Sequence, residues 1–307
     1  MRALVLAGGG AAGSWQAGAV DVLWTEAERR GDPYQIVSGT SVGALNASIL
    51  VQDGPGRLVE LWRQISSDQV YRSPWGWLGS AWRALRARGA IYDTAPLREL
   101  IARELDPGRV RSRGRHLLVH AADLEGRAQV TFTEQDTEDL REGVLASASL
   151  PVLFPAVEWR GRRLGDGGVV ANVPIRSVVR AGADRITVVT PDASMPISRR
   201  HARDLGQAPP RDGRRGVVGI VQSLIDVMLD AQVERDLAGV EQVNRILAAD
   251  PDGDLAQAGY RHIDLEVVQP GSPIGGLLDF DTSRMRALVT TGQADAREHL
   301  ARRRAAA

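Results

Sequence analysis

Three short motifs in this chain carry residue types that can do chemistry. Gly39-Thr40-Ser41-Val42-Gly43 is a G-x-S-x-G pentapeptide. A serine in that setting sits on a sharp strand-to-helix corner, where the flanking glycines let strand and helix approach closely and leave the hydroxyl exposed. The helix that begins after Ser41 points free backbone N–H groups and its positive end at the corner. The N–H of Val42 is placed to stabilise a developing oxyanion. The bland alternative is a serine turn with chance glycines. A second motif, Gly8-Gly9-Gly10-Ala11-Ala12-Gly13, satisfies G-x-G-x-x-G. Consecutive glycines free backbone N–H groups to face an anion, as an oxyanion hole or as the pyrophosphate loop of a dinucleotide site; a plain tight turn is the third option. A dinucleotide site wants an acid at the end of the second strand. The sequence there reads Val37-Ser38-Gly39, which disfavours a nucleotide cofactor. The third motif is Asp166-Gly167-Gly168. It suits a tight turn, and it also lets a carboxylate approach a serine hydroxyl and act as general base.

A Ser-His-Asp triad is the competing arrangement. The five histidines are His116, His120, His201, His262 and His299. The chain order Ser, Asp, His leaves His201, His262 and His299, and each reads more readily as a surface histidine. An ordinary α/β-hydrolase also places several βα units before its nucleophile, whereas a single one precedes Ser41. Composition removes other chemistries. With no cysteine, disulfides, thiolate zinc sites and cysteine nucleophiles are excluded. All 38 basic residues are arginine, so a Schiff-base or P-loop lysine is excluded too. A formal net charge of zero argues against nucleic acid as a partner.

The motifs need a scaffold. Residues 4–6 read as a short buried strand, followed by the glycine turn and a helix with Trp15, Ala19, Leu23 and Ala27 on one stripe. Residues 34–37 read as a second strand, 38–41 as a sharp turn, and Val42, Leu45, Ile49 and Leu50 as one face of the next helix. Two βα units in fifty residues predict a parallel sheet covered by helices. Further strands are expected at 117–121, 130–132, 186–190 and 263–268, and further helices at 96–105, 140–148, 217–247 and 285–300. Residues 191–216, rich in Pro, Gly and Arg, read as an exposed loop. No repeat or linker divides the chain, so one domain is expected over residues 1–307.

Together the three motifs resemble the patatin-like phospholipase family, bacterial type. Ser147-Ala148-Ser149-Leu150-Pro151 with Phe154-Pro155, Tyr92-Asp93-Thr94-Ala95-Pro96-Leu97, and Asn172-Val173-Pro174 also look like family segments. The resemblance implies a three-layer α/β/α sandwich around a mainly parallel sheet. It implies a serine acyl-ester hydrolase in which Ser41 is the nucleophile and Asp166 its dyad partner, with no metal and no cofactor. Gly8, Gly9 and Gly10, with Val42, correspond to the oxyanion hole; Gly13, Gly39, Gly43, Gly167 and Gly168 are the remaining motif glycines. Phospholipid, lysophospholipid or neutral lipid ester is the implied substrate. An acyltransferase sharing the acyl-serine step, or a non-catalytic lipid-binding relative, is the alternative. Ala12 stands where such loops usually carry Arg or Lys. Loss of that cation removes a partner for a lipid phosphate and favours neutral esters or lysophospholipids.

Residues 71–90 hold three of the seven tryptophans, Trp75, Trp77 and Trp82, alongside Arg83 and Arg86. That pairing suits a lipid–water interface, and the segment is the expected lid. An amphipathic helix packed on the sheet is the alternative. The first residues lack the long apolar core of a signal peptide, and no run approaches the length of a membrane span. A cytoplasmic protein, with peripheral membrane contact, is the expectation; the sequence sets no oligomeric state.

Overall fold

The structure is a computed structural model that describes residues 1–72, 89–191 and 217–306. The lid expected at 71–90 and the loop expected at 191–216 fall almost wholly outside those residues. Among the described residues the sheet has eight strands: β1 (Arg2–Leu6), β2 (Ile36–Thr40), β3 (His116–Asp123), β4 (Ala128–Thr133), β5 (Val157–Trp159), β6 (Arg162–Asp166), β7 (Arg185–Val189) and β8 (Asp264–Val268). The run β3-β2-β1-β7-β8 is parallel throughout; β4 and β6 join β3 antiparallel, and β5 pairs antiparallel with β6. The helices are α1 (Gly13–Arg29), α2 (Val42–Asp53), α3 (Pro55–Gln64), α4 (Ala95–Glu104), α5 (Pro107–Ser112), α6 (Leu140–Ser147), α7 (Ile175–Arg180), α8 (Val217–Ala249), α9 (Asp254–Gln257) and α10 (Thr282–Ala306).

Strand alternation divides the core into two. Leu4 and Leu6 of β1 join a cluster with Trp15, Leu50, Leu58 and Val289, which come from α1, α2, α3 and α10. Ala3 and Val5 of the same strand join Ile175, Val178, Val233 and Leu237 from α7 and α8 on the opposite face. Successive side chains of a strand point to opposite faces, so the mainly parallel sheet is buried on both sides by helices, the helix-covered parallel sheet predicted from the βα pattern and the three-layer arrangement that the resemblance implies. The α1–α10 contact is close because Gly18 and Gly292 face it. A Cβ on Gly18 would lie 2.0 Å from the Val289 carbonyl oxygen, and one on Gly292 would lie 2.0 Å from that of Trp15. Trp15 Nε1 donates to Asp295 Oδ2 across the same contact at 2.8 Å.

Two points of topology position the site. The chain builds outward from β1 through β2 to β3, then returns to β1's other edge with β7. The ends of β1 and β7 therefore flank the place where strand order reverses, with the end of β2 beside β1; in open α/β sheets that is where ligands bind. The second point concerns β3. Strand β4 occupies one of its edges from Leu118 to Asp123. Strand β2 occupies the other edge up to the Thr40–His120 pair, and β6 takes over that same edge at the Ala121–Asp166 pair. Strands β2 and β6 run toward each other, and their last residues face consecutive positions of β3.

Candidate active site

The predicted turn at 38–41 is shorter than expected. Ser38, Gly39 and Thr40 belong to β2, and the corner is Ser41 alone. Its φ of 56° and ψ of −129° fall where L-residues are strained, by about 1–3 kcal/mol. Gly39 and Gly43 permit this corner. A Cβ on Gly39 would lie 2.1 Å from the Gly43 oxygen, and one on Gly43 would lie 2.1 Å from the Leu6 oxygen. Ser41 is the N-cap of α2, yet its hydroxyl makes no capping bond, although serine at that position usually accepts one. The hydroxyl is thereby left to face Asp166, and the N–H of Val42 has no partner among the described residues. The Ser41 N–H donates to Ser147 Oγ at 2.9 Å, and Ser147 Oγ donates in turn to the His120 oxygen at 2.5 Å.

Asp166 ends β6 and is fully buried. Its N–H donates to the Ser149 oxygen at 2.8 Å. Oδ1 accepts the Gly168 N–H at 2.8 Å; Oδ2 is buried with no hydrogen bond among the described residues. Burial pushes the carboxyl up to about 7, offset in part by the Ser41 hydroxyl and the Gly168 N–H. The structure thus brings Ser41 and Asp166 together from distant parts of the chain, through the shared edge of β3. Gly167 is required by a different contact: a Cβ there would meet the His120 oxygen at 2.2 Å.

The glycine loop follows β1 and lies against the same corner. A Cβ on Gly8 would lie 2.9 Å from Ser41 Cβ and 2.6 Å from Asn172 Oδ1. The motif predicts an oxyanion donor at Gly8, but its N–H is already given to Asn172 Oδ1 at 2.9 Å. The loop amides that donate to no group among the described residues are those of Gly9 and Gly10, next to the equally free N–H of Val42. Gly10 is the glycine with positive φ, 55°, and Leu277 lies over it, its oxygen accepting the Ala11 N–H at 2.9 Å. Beneath the loop runs a buried chain of amides. Gln16 Nε2 donates to the oxygens of Ala7 and Val189, Asn46 Nδ2 to those of Gly13 and Gln16, and Trp62 Nε1 to Asn46 Oδ1. It fixes the ends of β1 and β7 to the first turns of α1 and α2. Gly13 sits where a Cβ would meet Val42 Cγ2 at 2.3 Å.

From Ser41 and Gly10 a cavity of about 160 Å³ extends along α2. Val42, Leu45, Ile49, Leu58, Ile101 and Phe280 are among its lining residues. Positions 41 to 49 cover about 12 Å of helix at 1.5 Å per residue, so the cavity is an apolar slot that starts at the serine.

The histidines lie elsewhere. His120 is buried and accepts from Gln129 Nε2 at Nδ1 (2.7 Å), which leaves the proton on Nε2 to be donated to Ser38 Oγ at 2.9 Å. Burial holds it down at about 3, so it is neutral. His116 and His299 bond to Glu134 and Glu266, and His262 is exposed. His201 lies outside the described residues. None of the described histidines bonds to Ser41. No group of three or more His, Cys, Asp or Glu side chains among the described residues is arranged to hold a metal ion. No described helix is long and apolar enough to cross a membrane.

Several site residues have no individual signal in the sequence. Ser147 and Asn172 belong to segments that look familiar, but their partners lie 106 and 164 positions away. Trp62, Leu277 and Phe280 close the loop and the cavity from elements that no motif marks. Fold and site together define an α/β protein whose sheet sets a strained serine corner at an apolar cavity, with a buried aspartate behind it. A model of the patatin-like phospholipase family matches residues 4–179, and the chain belongs to that family. Among curated proteins, the lysophospholipase NTE1 of Lodderomyces elongisporus is 28% identical over 203 residues. That of Scheffersomyces stipitis is 27% identical over 198. Each alignment covers 61% of this chain, but only 12% and 11% of the respective relatives. Among solved structures, VipD from Legionella pneumophila is similar with a TM-score of 0.47 at 15% identity, over 97% of this chain and 66% of that one.

Proposed function

We propose that the protein hydrolyses acyl esters of lipids through an acyl-serine intermediate, with Ser41 as nucleophile and Asp166 as its base. The observation that carries this is the pairing of a serine hydroxyl on a strained corner, free of any capping bond and beside an apolar cavity, with a buried carboxyl that faces it. Ser41 Oγ attacks the ester carbonyl carbon as its proton passes to Asp166. The N–H groups of Gly9, Gly10 and Val42 hold the oxyanion, each such donor being worth about 3–4 kcal/mol of barrier. Collapse breaks the bond to the leaving alkoxide, which takes the proton from Asp166 and departs as alcohol or lysolipid. Water then gives a proton to Asp166 and attacks the acyl carbon. Fatty acid leaves, and the proton returns to Ser41.

The loop bears on the leaving group and the cavity on the number of acyl chains. Ala12 is buried and carries no charge, so the loop itself offers no cation to a phosphate. A single-chain ester, lysophospholipid or neutral, fits one apolar slot, in agreement with the lysophospholipase name of the two yeast relatives. Hydrolysis of p-nitrophenyl esters of short and long acyl chains, with chelator present, tests the proposal. Wild type should release nitrophenol and Ser41→Ala, equally folded, should not. Equal release from both would remove Ser41 from the mechanism.

A further inference from the structure

We infer that Asn172 is a positioning residue: its side-chain amide ties the glycine loop after β1 to the turn that carries Asp166, and does so without a second negative charge beside that carboxylate. This rests on Asp166 acting as the base.

Asn172 is 2% exposed and follows the Asp166-Gly167-Gly168 turn by four residues. Its Oδ1 accepts the Gly8 N–H at 2.9 Å. Only the oxygen of an amide can accept that bond, so the orientation of the side chain is fixed by Gly8. The same oxygen lies 3.5 Å from a Cβ placed on Gly168, and Asp166 Oδ1 lies 3.1 Å from that point. The two oxygens are therefore no more than about 7 Å apart in a buried setting, where charges are weakly screened. Asn172 thus holds the loop at the distance set by Ser41 and removes Gly8's N–H from competition with Gly9 and Gly10 for the oxyanion. It also presents a neutral acceptor where a carboxylate of the same shape would fit.

The charge around Asp166 makes the point testable. Among the described residues, the titratable groups on elements packed against its turn include His120 and Asp123 on β3, Glu142 on α6, Glu158 on β5, and Asp230, Glu234, Arg235 and Asp236 on α8. His120 is neutral. Asp123, Glu142 and Glu158 face Arg162, Arg98 and Arg163. Asp236 accepts the Val173 N–H at 3.4 Å and lies 3.7 Å from Arg235. None of these contributes a charge effect at Asp166, whose shift comes from burial, Ser41 and Gly168. A carboxylate at position 172 would add a like charge closer to it than these described groups supply.

Two variants separate tether from charge. Asn172→Asp keeps the acceptor for Gly8 and adds the charge. The acid limb of its kcat/KM profile should move to higher pH by at least about one unit, as a like charge disfavours ionisation of Asp166. Asn172→Leu removes the acceptor and adds none. Its kcat on a short-chain p-nitrophenyl ester should fall about 10- to 100-fold, with KM within about twofold of wild type and the acid limb in place. An unmoved limb in Asn172→Asp, or wild-type kcat in Asn172→Leu, overturns the inference. Should Asn172→Leu fail to fold, Asn172→Asp decides alone. Asp166→Asn and Ser41→Ala are run alongside. Wild-type turnover in either would remove the base or the nucleophile; loss in both, with the Asn172→Asp limb unmoved, removes only the role of Asn172.

Discussion

At the scale of single residues, the site sets two groups in opposed conditions. Ser41, strained and only 5% exposed, lines the apolar cavity, whereas Asp166 is wholly buried and raised to about 7. A base with that pKa is half-ionised near neutral pH, where general-base catalysis is most effective. The kcat/KM profile of wild type should fall below about pH 7 with a slope of one proton. Asp166→Asn should lower kcat by about 10²- to 10⁴-fold. A wild-type profile flat from pH 5 to 8 would argue that another group takes the proton. The motif residues were legible in the sequence because backbone crowding is written as glycine. Gly39, Gly43 and Gly167 each stand where a Cβ would run into a carbonyl oxygen. Hydrogen-bond tethers leave no such mark. Nothing local to Asn172 or Ser147 announces a partner on another strand, and nothing local to Gly8 announces that its N–H is already taken.

At the scale of elements, the second βα unit sets the cavity as well as the nucleophile. Helix α2 carries Ser41 at its N-terminus, then Leu45 and Ile49 at successive turns along the cavity. Leu45 lies about 6 Å and Ile49 about 12 Å along the helix from Ser41. Ile49→Trp should therefore preserve hydrolysis of short acyl esters and reduce kcat/KM for long ones, while Leu45→Trp should reduce both; a panel of p-nitrophenyl esters of graded length distinguishes them. Equal behaviour of the two variants would place the acyl chain elsewhere. The α1–α10 contact makes a different prediction. Gly292→Ala introduces a methyl against the Trp15 carbonyl and should cost about 1–3 kcal/mol. Thermal unfolding should register it as a lower Tm with the pH profile of activity unchanged. The parallel strands were legible from short apolar runs such as Leu4-Val5-Leu6. Strand β6, which delivers Asp166, was not. Arg162-Arg163-Leu164-Gly165-Asp166 has one large apolar residue in five, and its pairing with β5 and β3 is a tertiary contact that outweighs weak local preference. Helix α3 is not among the expected helices: glycines flank its start at Gly54 and Gly56, yet Pro55 at N1 begins it.

At the scale of the whole molecule, the sheet gathers motifs from distant parts of the chain by two rules, the reversal of strand order at β1 and the shared edge of β3. The family match ends at residue 179, yet Leu277, Leu278 and Phe280 beyond it cover the glycine loop and cavity. Burial of the site also makes stability depend on pH. Asp166 has a folded pKa raised above its unfolded value, so its contribution is fully present below about pH 4 and is lost as pH rises through about 7. Asp166→Asn should accordingly raise Tm at pH 8 and leave it near wild type at pH 4. His120 acts in the other direction. Its folded pKa is depressed to about 3, so its contribution is present above about 6.5 and lost as pH falls toward 3.

The acyl-serine intermediate is the step on which the proposed chemistry depends, and covalent trapping tests it most directly. Wild type, Ser41→Ala and Asp166→Asn would each be incubated at pH 8 with a long-chain alkyl fluorophosphonate and digested for peptide mass spectrometry. A single adduct on Ser41 in wild type, none in Ser41→Ala, and labelling slowed at least about 100-fold in Asp166→Asn is the predicted result. An adduct on a different side chain, or full-rate labelling of Ser41 without the Asp166 carboxylate, would contradict it.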